Sequence, residues 1–409
     1  MNQPSPYPFP SLPNLSGTTL VVGLGVTGMS CVRFLVRRGC DVRVVDSRAE
    51  PPGLEELSRD FPQVPRYLGG FDPRAFAGVA RLLVSPGVAV TTPMVVQAAV
   101  RGAEVLGDVE LFARFARAPV AAITGSNGKS TVTSLLGEMA RTAGLEVAVG
   151  GNLGTPALDL LDEGVALYVL ELSSFQLETT ASLNARVATV LNISADHLDR
   201  YGSLENYTRA KARIFRGDGV MVLNDDDPRV MALAHPDRQV ISFTLQKPEA
   251  GQFGLQDGWL ARGDEPWIAA AELHFGGGAH NLANALAALA MGQALGLERS
   301  AMLAALKDFQ GLPHRTRKVA EAGGVAWYDD SKGTNVGATL AAVAGMPGPV
   351  VLIAGGEGKG QDFTALGPVL ADKARAVVLI GRDGPLIAAA LEGTVACHFA
   401  PDMTAAVQR

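Results

Sequence analysis

Residues 120–131 constrain this chain more than any other stretch. Val120-Ala-Ala-Ile-Thr124 is an apolar run of strand length, and it ends on Gly125-Ser126-Asn127-Gly128-Lys129-Ser130-Thr131. A helix-period stretch, Thr131 to Ala143, comes next. Strand, glycine turn and helix in that order form a loop whose backbone N–H groups and helix N-terminus face a phosphate. Lys129 supplies a point charge there, and the Ser130 hydroxyl suits Mg²⁺. The loop is shorter than the general G-x-x-x-x-G-K-[ST] form but keeps its context. Such a loop calls for a mostly parallel sheet covered by helices.

The rest of the chain alternates in the same way. Strands are predicted over Thr19–Gly23, Asp41–Asp46, Arg81–Ser85, Ala166–Glu171, Arg186–Asn192 and Gly219–Asn224. Later runs are Val325–Asp330, Pro349–Gly355, Ala376–Gly381 and Val395–Ala400. Residues 225–280, with Gly/Asp/Trp-rich turns and a short run Gln239–Thr244, predict a small β excursion. One long helical stretch is predicted from His280 to Phe309. At ~150 residues per domain the length predicts two or three domains. Boundaries fall near Gly107, before a helix Asp108–Arg117, and near Gly311-Leu312-Pro313. The division is therefore 1–107, 108–312 and 313–409.

Composition removes several classes of function. With 47% hydrophobic residues the chain can bury ordinary cores, so disorder is not its main character. A net charge of −6 argues against a nucleic-acid binder held by a general basic surface. Cys31, Cys40 and Cys397 form no C-x-x-C pair, which excludes a disulfide framework and a cysteine zinc site. Met1–Gly17 carries prolines at 4, 6, 8, 10 and 13 with no basic residue ahead of an apolar core, so it is not read as a signal peptide. No apolar run approaches the ~20 residues that span a bilayer. A cytoplasmic protein without membrane partners is the expectation.

Two further glycine loops follow strands. Gly23-Leu-Gly25-Val-Thr-Gly28 opens a helix, and Asp46 ends the next strand about 20 residues on, the spacing of a dinucleotide fingerprint. Alone it suits a nicotinamide enzyme, another pyrophosphate ligand, or mere tight strand–helix packing. Gly355-Gly356-Glu357-Gly358-Lys359-Gly360 leaves an ammonium at a strand end, or forms a plain surface loop.

Strand ends in the middle of the chain carry acids. Ala166–Leu170 delivers Glu171, and Val187–Leu191 delivers Asn192, then Asp196, His197 and Asp199. A carboxylate beside the phosphate loop can complete an octahedral Mg²⁺ shell. Lys211 is the least expected residue. In a helix over Ser203–Arg216 it falls on the apolar stripe with Leu204, Tyr207 and Ile214. There a lysine must snorkel, lose its charge, or meet an anion or a modification.

Taken together these segments resemble the Mur ligase family. The matching pieces are GLGVTGMS (Gly23–Ser30), ITGSNGKST (Ile123–Thr131), GGNLGTPAL (Gly150–Leu158), LELSSFQLE (Leu170–Glu178) and SADHLDRY (Ser194–Tyr201). YTRAKARIF (Tyr207–Phe215), HNLANA (His280–Ala285), Pro313–Arg315, DDSKGTN (Asp329–Asn335) and Gly355–Phe363 continue the series in order. The resemblance implies an α/β chain of three domains. They are a Rossmann-like N-terminal domain, a P-loop ATPase-like central domain, and a Rossmann-like C-terminal domain.

The resemblance implies ATP-dependent amide formation through an acyl phosphate in peptidoglycan precursor synthesis. The GLGVTG and SSFQLE segments look closest to the member that adds D-glutamate to UDP-N-acetylmuramoyl-L-alanine. It places Val26, Thr27, Asp46, Ser47, Arg48 and Asn152 on the UDP-linked substrate rather than on a nicotinamide. Gly125, Ser126, Asn127, Gly128, Lys129, Ser130, Thr131, Asn281, Arg315 and Asp330 fall to ATP. Two Mg²⁺ ions would be served by Ser130, Glu171, His197 and a carbamylated Lys211. Lys332, Thr334 and Lys359 would lie near the ATP and the incoming amino acid. The implied partners are small molecules, with no nucleic acid, and the chain is expected to be a monomer.

One departure from the family pattern is plain. Its Ser-Pro-Ala-x-Ala-Ser-like segment has no counterpart here, and the sequence stops at Arg409 as Pro401–Val407 begins to read as a capped helix. The C-terminal domain is therefore expected to be truncated. A nucleotide-binding but inactive form, another Mur ligase, or a folylpolyglutamate synthase-like enzyme are the alternatives. A nicotinamide dehydrogenase would leave Lys129, Glu171 and Lys211 unexplained.

Overall fold

The computed structural model describes residues 15–275, 278–346 and 348–409. The proline-rich start, on which the absence of a signal peptide was argued, lies almost wholly outside them.

Five short strands form the first sheet: β1 (Thr19–Val22), β2 (Val42–Asp46), β3 (Arg66–Leu68), β4 (Arg81–Val84) and β5 (Glu104–Leu106). All pair in parallel, in the order β3-β2-β1-β4-β5. The chain reverses its direction of travel across the sheet between β1 and β4, where a crevice opens at the strand ends. Gly28 is required at the head of the following helix, Val26–Arg37, because a Cβ there would stand 2.0 Å from the Gly23 carbonyl oxygen.

The second sheet is built from β6 (Val120–Thr124), β7 (Val147–Gly151), β8 (Leu167–Glu171), β9 (Val187–Val190), β10 (Val220–Asn224) and β11 (Val240–Phe243). The expected β excursion is β12 (Phe253–Gln256), β13 (Trp259–Arg262) and β14 (Glu265–Ala269), whose hairpins extend the same sheet to nine strands. Its order, β14-β13-β12-β11-β10-β9-β6-β8-β7, puts β6 between β9 and β8. Those three strands are apolar on both faces because helices cover both. Val120, Ala121, Ala122 and Ile123 are all buried.

The helices Lys129–Thr142, Ala279–Leu295 and Arg299–Asp308 pack on one face of that sheet. The single helix expected from His280 to Phe309 is two, because Gly296 adopts a left-handed φ of 75° and ends the first. On the other face one continuous core joins the second sheet to the first and takes in Phe112, Tyr168 and Met29.

The remaining strands are a hairpin, β15 (Arg317–Ala322) with β16 (Val325–Asp329), and a parallel sheet of β17 (Val350–Gly355), β18 (Ala374–Ile380) and β19 (Cys397–Phe399). The described chain is thus α/β with mostly parallel sheets. Among the described residues no helix is long and apolar enough to cross a membrane.

Candidate active site

The strand register builds the centre of the site. Ile123 of β6 lies opposite Glu171 of β8, and Gly151 of β7 lies opposite the same residue. The phosphate loop, Glu171 and Asn152 therefore leave three neighbouring strands at one level. The Asn152 amide donates to Glu171 Oε1 at 2.7 Å. Glu171 is 3% exposed, and its Oε2 has no hydrogen-bond partner. A buried, half-satisfied carboxylate is a costly arrangement that a cation relieves.

Gly125 and Gly128 take φ values of 151° and 84°, open to glycine and strained for other residues. A Cβ on Gly128 would meet Asn284 Oδ1 at 2.3 Å. Lys129 folds back, donating from Nζ to the carbonyls of Gly125 at 2.9 Å and Ser126 at 3.1 Å. Burial lowers its ammonium below the usual lysine range, with Glu171 opposing. The loop is braced from the next strand: Asn192 Oδ1 accepts from the Asn127 N–H at 2.8 Å, and Ser126 Oγ donates to the Ser194 carbonyl at 3.0 Å.

Lys211 does not snorkel. It is 1% exposed, donating to the Gly125 carbonyl at 2.8 Å, with its ammonium 4.6 Å from the Tyr207 ring centre. Burial, and then the charge of Lys129, hold it well below the ordinary lysine range. His197 takes a left-handed φ of 53° and lies edge-on to Phe175, with 4.7 Å between ring centres. Burial lowers its imidazole, while neighbouring Asp196 works the other way. Among the described residues no group of three or more acidic, histidine or cysteine side chains forms a self-sufficient metal cage. A cation here would complete its shell with oxygens from outside these side chains, of water or a phosphate.

From the C-terminal side, Arg315 Nη2 donates to Ser130 Oγ at 3.1 Å. Asp330 accepts from the Thr316 N–H and hydroxyl at 2.8 and 3.1 Å, and burial raises its carboxyl. Asn281, Arg315 and Asp330 line a cavity of about 110 Å³ together with Asn127, Gly128 and Thr131. Lys359, also left-handed at φ 51°, places Nζ 3.6 Å from Asp196 Oδ1. Lys332 and Thr334 are brought to this side but stay exposed, and among the described residues neither makes a side-chain hydrogen bond.

A second cavity of about 550 Å³ opens at the reversal between β1 and β4. Val26, Thr27, Asp46, Ser47, Arg48 and Asn152 all line it. Asp46 is 2% exposed and already committed: it accepts from the Leu24 N–H at 2.7 Å and from Arg48 Nε and Nη2 at 2.9 and 2.7 Å. It holds the glycine turn and the Arg48 side chain in place, so Arg48 is the more available group for a phosphate. Because Asn152 belongs to this cavity and bonds Glu171, the cavity and the neighbourhood of the phosphate loop meet at one carboxylate.

Two contributors escaped the sequence reading. Asn335 exchanges two amide hydrogen bonds with Asn127, at 2.9 and 3.2 Å, and its signal was an Asn preceding a helix. Gln176 lines the larger cavity, and its signal was the capping box from Ser173. Asp196, already named among the strand-end acids, is flanked by the histidine it precedes and by Lys359.

This fold and site define a phosphate-loop enzyme with a second, larger cavity beside the loop. Residues 17–107 match the family description "Mur ligase MurD-like, N-terminal domain", residues 123–292 "Mur ligase middle domain", and residues 314–409 "Mur ligase, glutamate ligase domain". The chain belongs to the Mur ligase family. The UDP-N-acetylmuramoylalanine--D-glutamate ligase of Nitrosococcus oceani is 55% identical over 389 residues, 93% of this chain and 86% of that protein. That of Methylococcus capsulatus is 53% identical over 380 residues, 92% of this chain and 83% of its own length. Among solved structures, a pseudomurein peptide ligase type C from Methanothermus fervidus shares the fold with a TM-score of 0.60 at 19% identity, covering 94% of this chain and 89% of that one. UDP-N-acetylmuramate-alanine ligase MurC from Thermotoga maritima does so with a TM-score of 0.59 at 19% identity, covering 94% and 91%.

Proposed function

We propose that the chain joins the amine of D-glutamate to the carboxylate of UDP-N-acetylmuramoyl-L-alanine, using ATP, in peptidoglycan precursor synthesis. The observation that carries this reading is the Asn152–Glu171 bond between the larger cavity and the phosphate loop. A substrate anchored by its UDP in that cavity would extend its carboxylate towards the γ-phosphate of ATP.

The γ-phosphoryl group passes to the carboxylate oxygen, ADP leaves, and the resulting acyl phosphate is attacked by the amine of D-glutamate. A tetrahedral intermediate then expels inorganic phosphate. Lys129 neutralises the charge of the moving phosphoryl group once it releases the loop carbonyls it now holds. Arg315, Asn281 and Asp330 hold the nucleotide, while Lys359, Lys332 and Thr334 orient the amino acid. Closure of the C-terminal part over the loop keeps water from the acyl phosphate.

Ser130, Glu171, His197 and a carbamylated Lys211 would hold Mg²⁺, which lowers the cost of bringing two anions together. The unpartnered Glu171 Oε2 supports this fit. The depressed pKa of Lys211 supports carbamylation, because only the neutral amine attacks CO₂, losing a proton to leave a carbamate anion. The division into domains 1–107, 108–312 and 313–409, a monomeric state and a cytoplasmic location belong to the same proposal.

The test is ADP release with UDP-N-acetylmuramoyl-L-alanine against a panel of L- and D-amino acids. Release with D-glutamate alone is expected. Release with a different amino acid would assign another ligase specificity, and none at all would make the chain a binder only.

A further inference from the structure

Asp108 is a buried carboxylate that the reaction above does not use. It opens the helix Asp108–Phe115, is 1% exposed, and makes no ion pair among the described residues. Its Oδ2 accepts one side-chain hydrogen bond, from Gln176 Nε2 at 3.2 Å. Burial pushes its pKa up to about 6. Desolvating an acid for a neutral amide and the N–H groups of its own first helical turn is a poor bargain for stability alone.

Its placement is tightly determined. A Cβ on Gly107 would come within 2.2 Å of Thr179 Oγ1, so the helix enters directly against the segment that carries Gln176. One turn further, Glu110 accepts from the N–H groups of Ala181 and Ser182 at 2.7 and 2.9 Å. These contacts clamp the Asp108 helix to the end of that segment.

Gln176 has little freedom left. Its Oε1 accepts from the Ser173 N–H at 3.1 Å and from Ser173 Oγ at 3.2 Å. Turning the amide over would set its oxygen against the Asp108 carboxylate and its NH₂ against the Ser173 N–H, two repulsive contacts in place of three bonds. Nε2 carries two hydrogens, and Asp108 engages one. Gln176 lines the 550 Å³ cavity, and among the described residues no partner takes the second hydrogen.

We propose that Asp108 is a positioning residue for the UDP-linked substrate: it fixes the Gln176 amide so that the remaining Nε2–H is offered to an acceptor oxygen in the larger cavity. This inference rests on the substrate assignment of the preceding subsection.

A double-mutant cycle on the full chain tests it, with KM measured separately for UDP-N-acetylmuramoyl-L-alanine, ATP and D-glutamate. Asp108→Ala is expected to raise KM for the UDP-linked substrate about three- to tenfold, the size of one hydrogen bond, leaving KM for ATP unchanged. Asp108→Asn keeps an acceptor oxygen and is expected to restore a near-normal KM. Gln176→Ala with Asp108→Ala is expected to be no weaker than Gln176→Ala alone. Additive losses, an equal rise in KM for ATP, or an Asn variant as impaired as the Ala variant would overturn the role. If Asp108→Ala does not fold, the Asn variant decides: a normal KM supports the role and a raised one refutes it. Failure of the substrate assignment is distinguishable, since the unmodified chain would then show no saturable use of the UDP-linked substrate.

Discussion

Lys211 sits where a charged side chain is least welcome: it is fully enclosed, beside a second lysine and under a backbone loop. Because its folded pKa lies below its unfolded one, the unfolded chain binds the extra proton. Stability therefore falls as pH drops from the ordinary lysine range, near 10.5, towards the folded value. Lys211→Met fills the same space without the charge. It leaves no orphan, since the Gly125 carbonyl keeps Lys129 and the Thr124 hydroxyl keeps the Leu172 carbonyl. The variant is expected to gain about 1–2 kcal/mol in denaturant unfolding and to lose ligation altogether. Lys211→Ala should be equally inactive but partly restored by short carboxylates. Full activity of either variant would remove Lys211 from the chemistry. This residue was legible in sequence because it broke an apolar stripe. Glu171 was less so, since neither its burial nor its bond to Asn152 leaves a mark in local pattern.

The elements that read well are those whose environment is written in their own residues. β6, β8 and β9 are continuous apolar runs because helices cover both faces, and each was placed to within a residue or two. β3 and β5, of three residues each, and β7 were not read: the first two are short, all three are partly exposed, and their existence depends on a neighbouring strand. The break at Gly296 was missed because one glycine in an alanine-rich stretch is ambiguous until its φ is known. The first glycine loop was legible as a phosphate-type turn but not as a particular ligand site. Its cavity takes residues from the segments that follow β4 and β7. Gly28→Ala tests how strictly this turn is built. With a Cβ 2.0 Å from the Gly23 carbonyl, it is expected to cost about 1–3 kcal/mol of stability. Affinity for the UDP-linked substrate should drop more than tenfold, with KM for ATP little changed. A calorimetric titration showing unaltered binding would mean that the turn does not shape the cavity.

Across the whole molecule, the C-terminal part is held against the phosphate loop by a small set of polar contacts. Asn335 and Asn127 exchange amide hydrogen bonds, Arg315 reaches Ser130, and Lys359 faces Asp196. Gly337 belongs to the same approach: a Cβ there would stand 3.0 Å from Ser194 Oγ. None of these contacts buries a large apolar area, and the C-terminal part keeps its own separate core. A small polar junction of this kind suits the domain closure proposed above. Asn335 is the sensitive point, because Oδ1 also caps its own helix at the Ala338 N–H, 2.8 Å away. Asn335→Ala removes the paired amides and the cap together, roughly 1 kcal/mol for each bond lost. Asn335→Asp keeps the cap and one of the two bridging bonds. The Ala variant is therefore expected to enlarge the radius of gyration in solution scattering and to raise KM for ATP about tenfold or more. The Asp variant should show a smaller change in dimensions, while its added charge beside the phosphate loop still weakens ATP. If the Ala variant scatters like the unmodified chain and uses ATP normally, the amide pair is incidental, and closure rests on Arg315 and Lys359 instead.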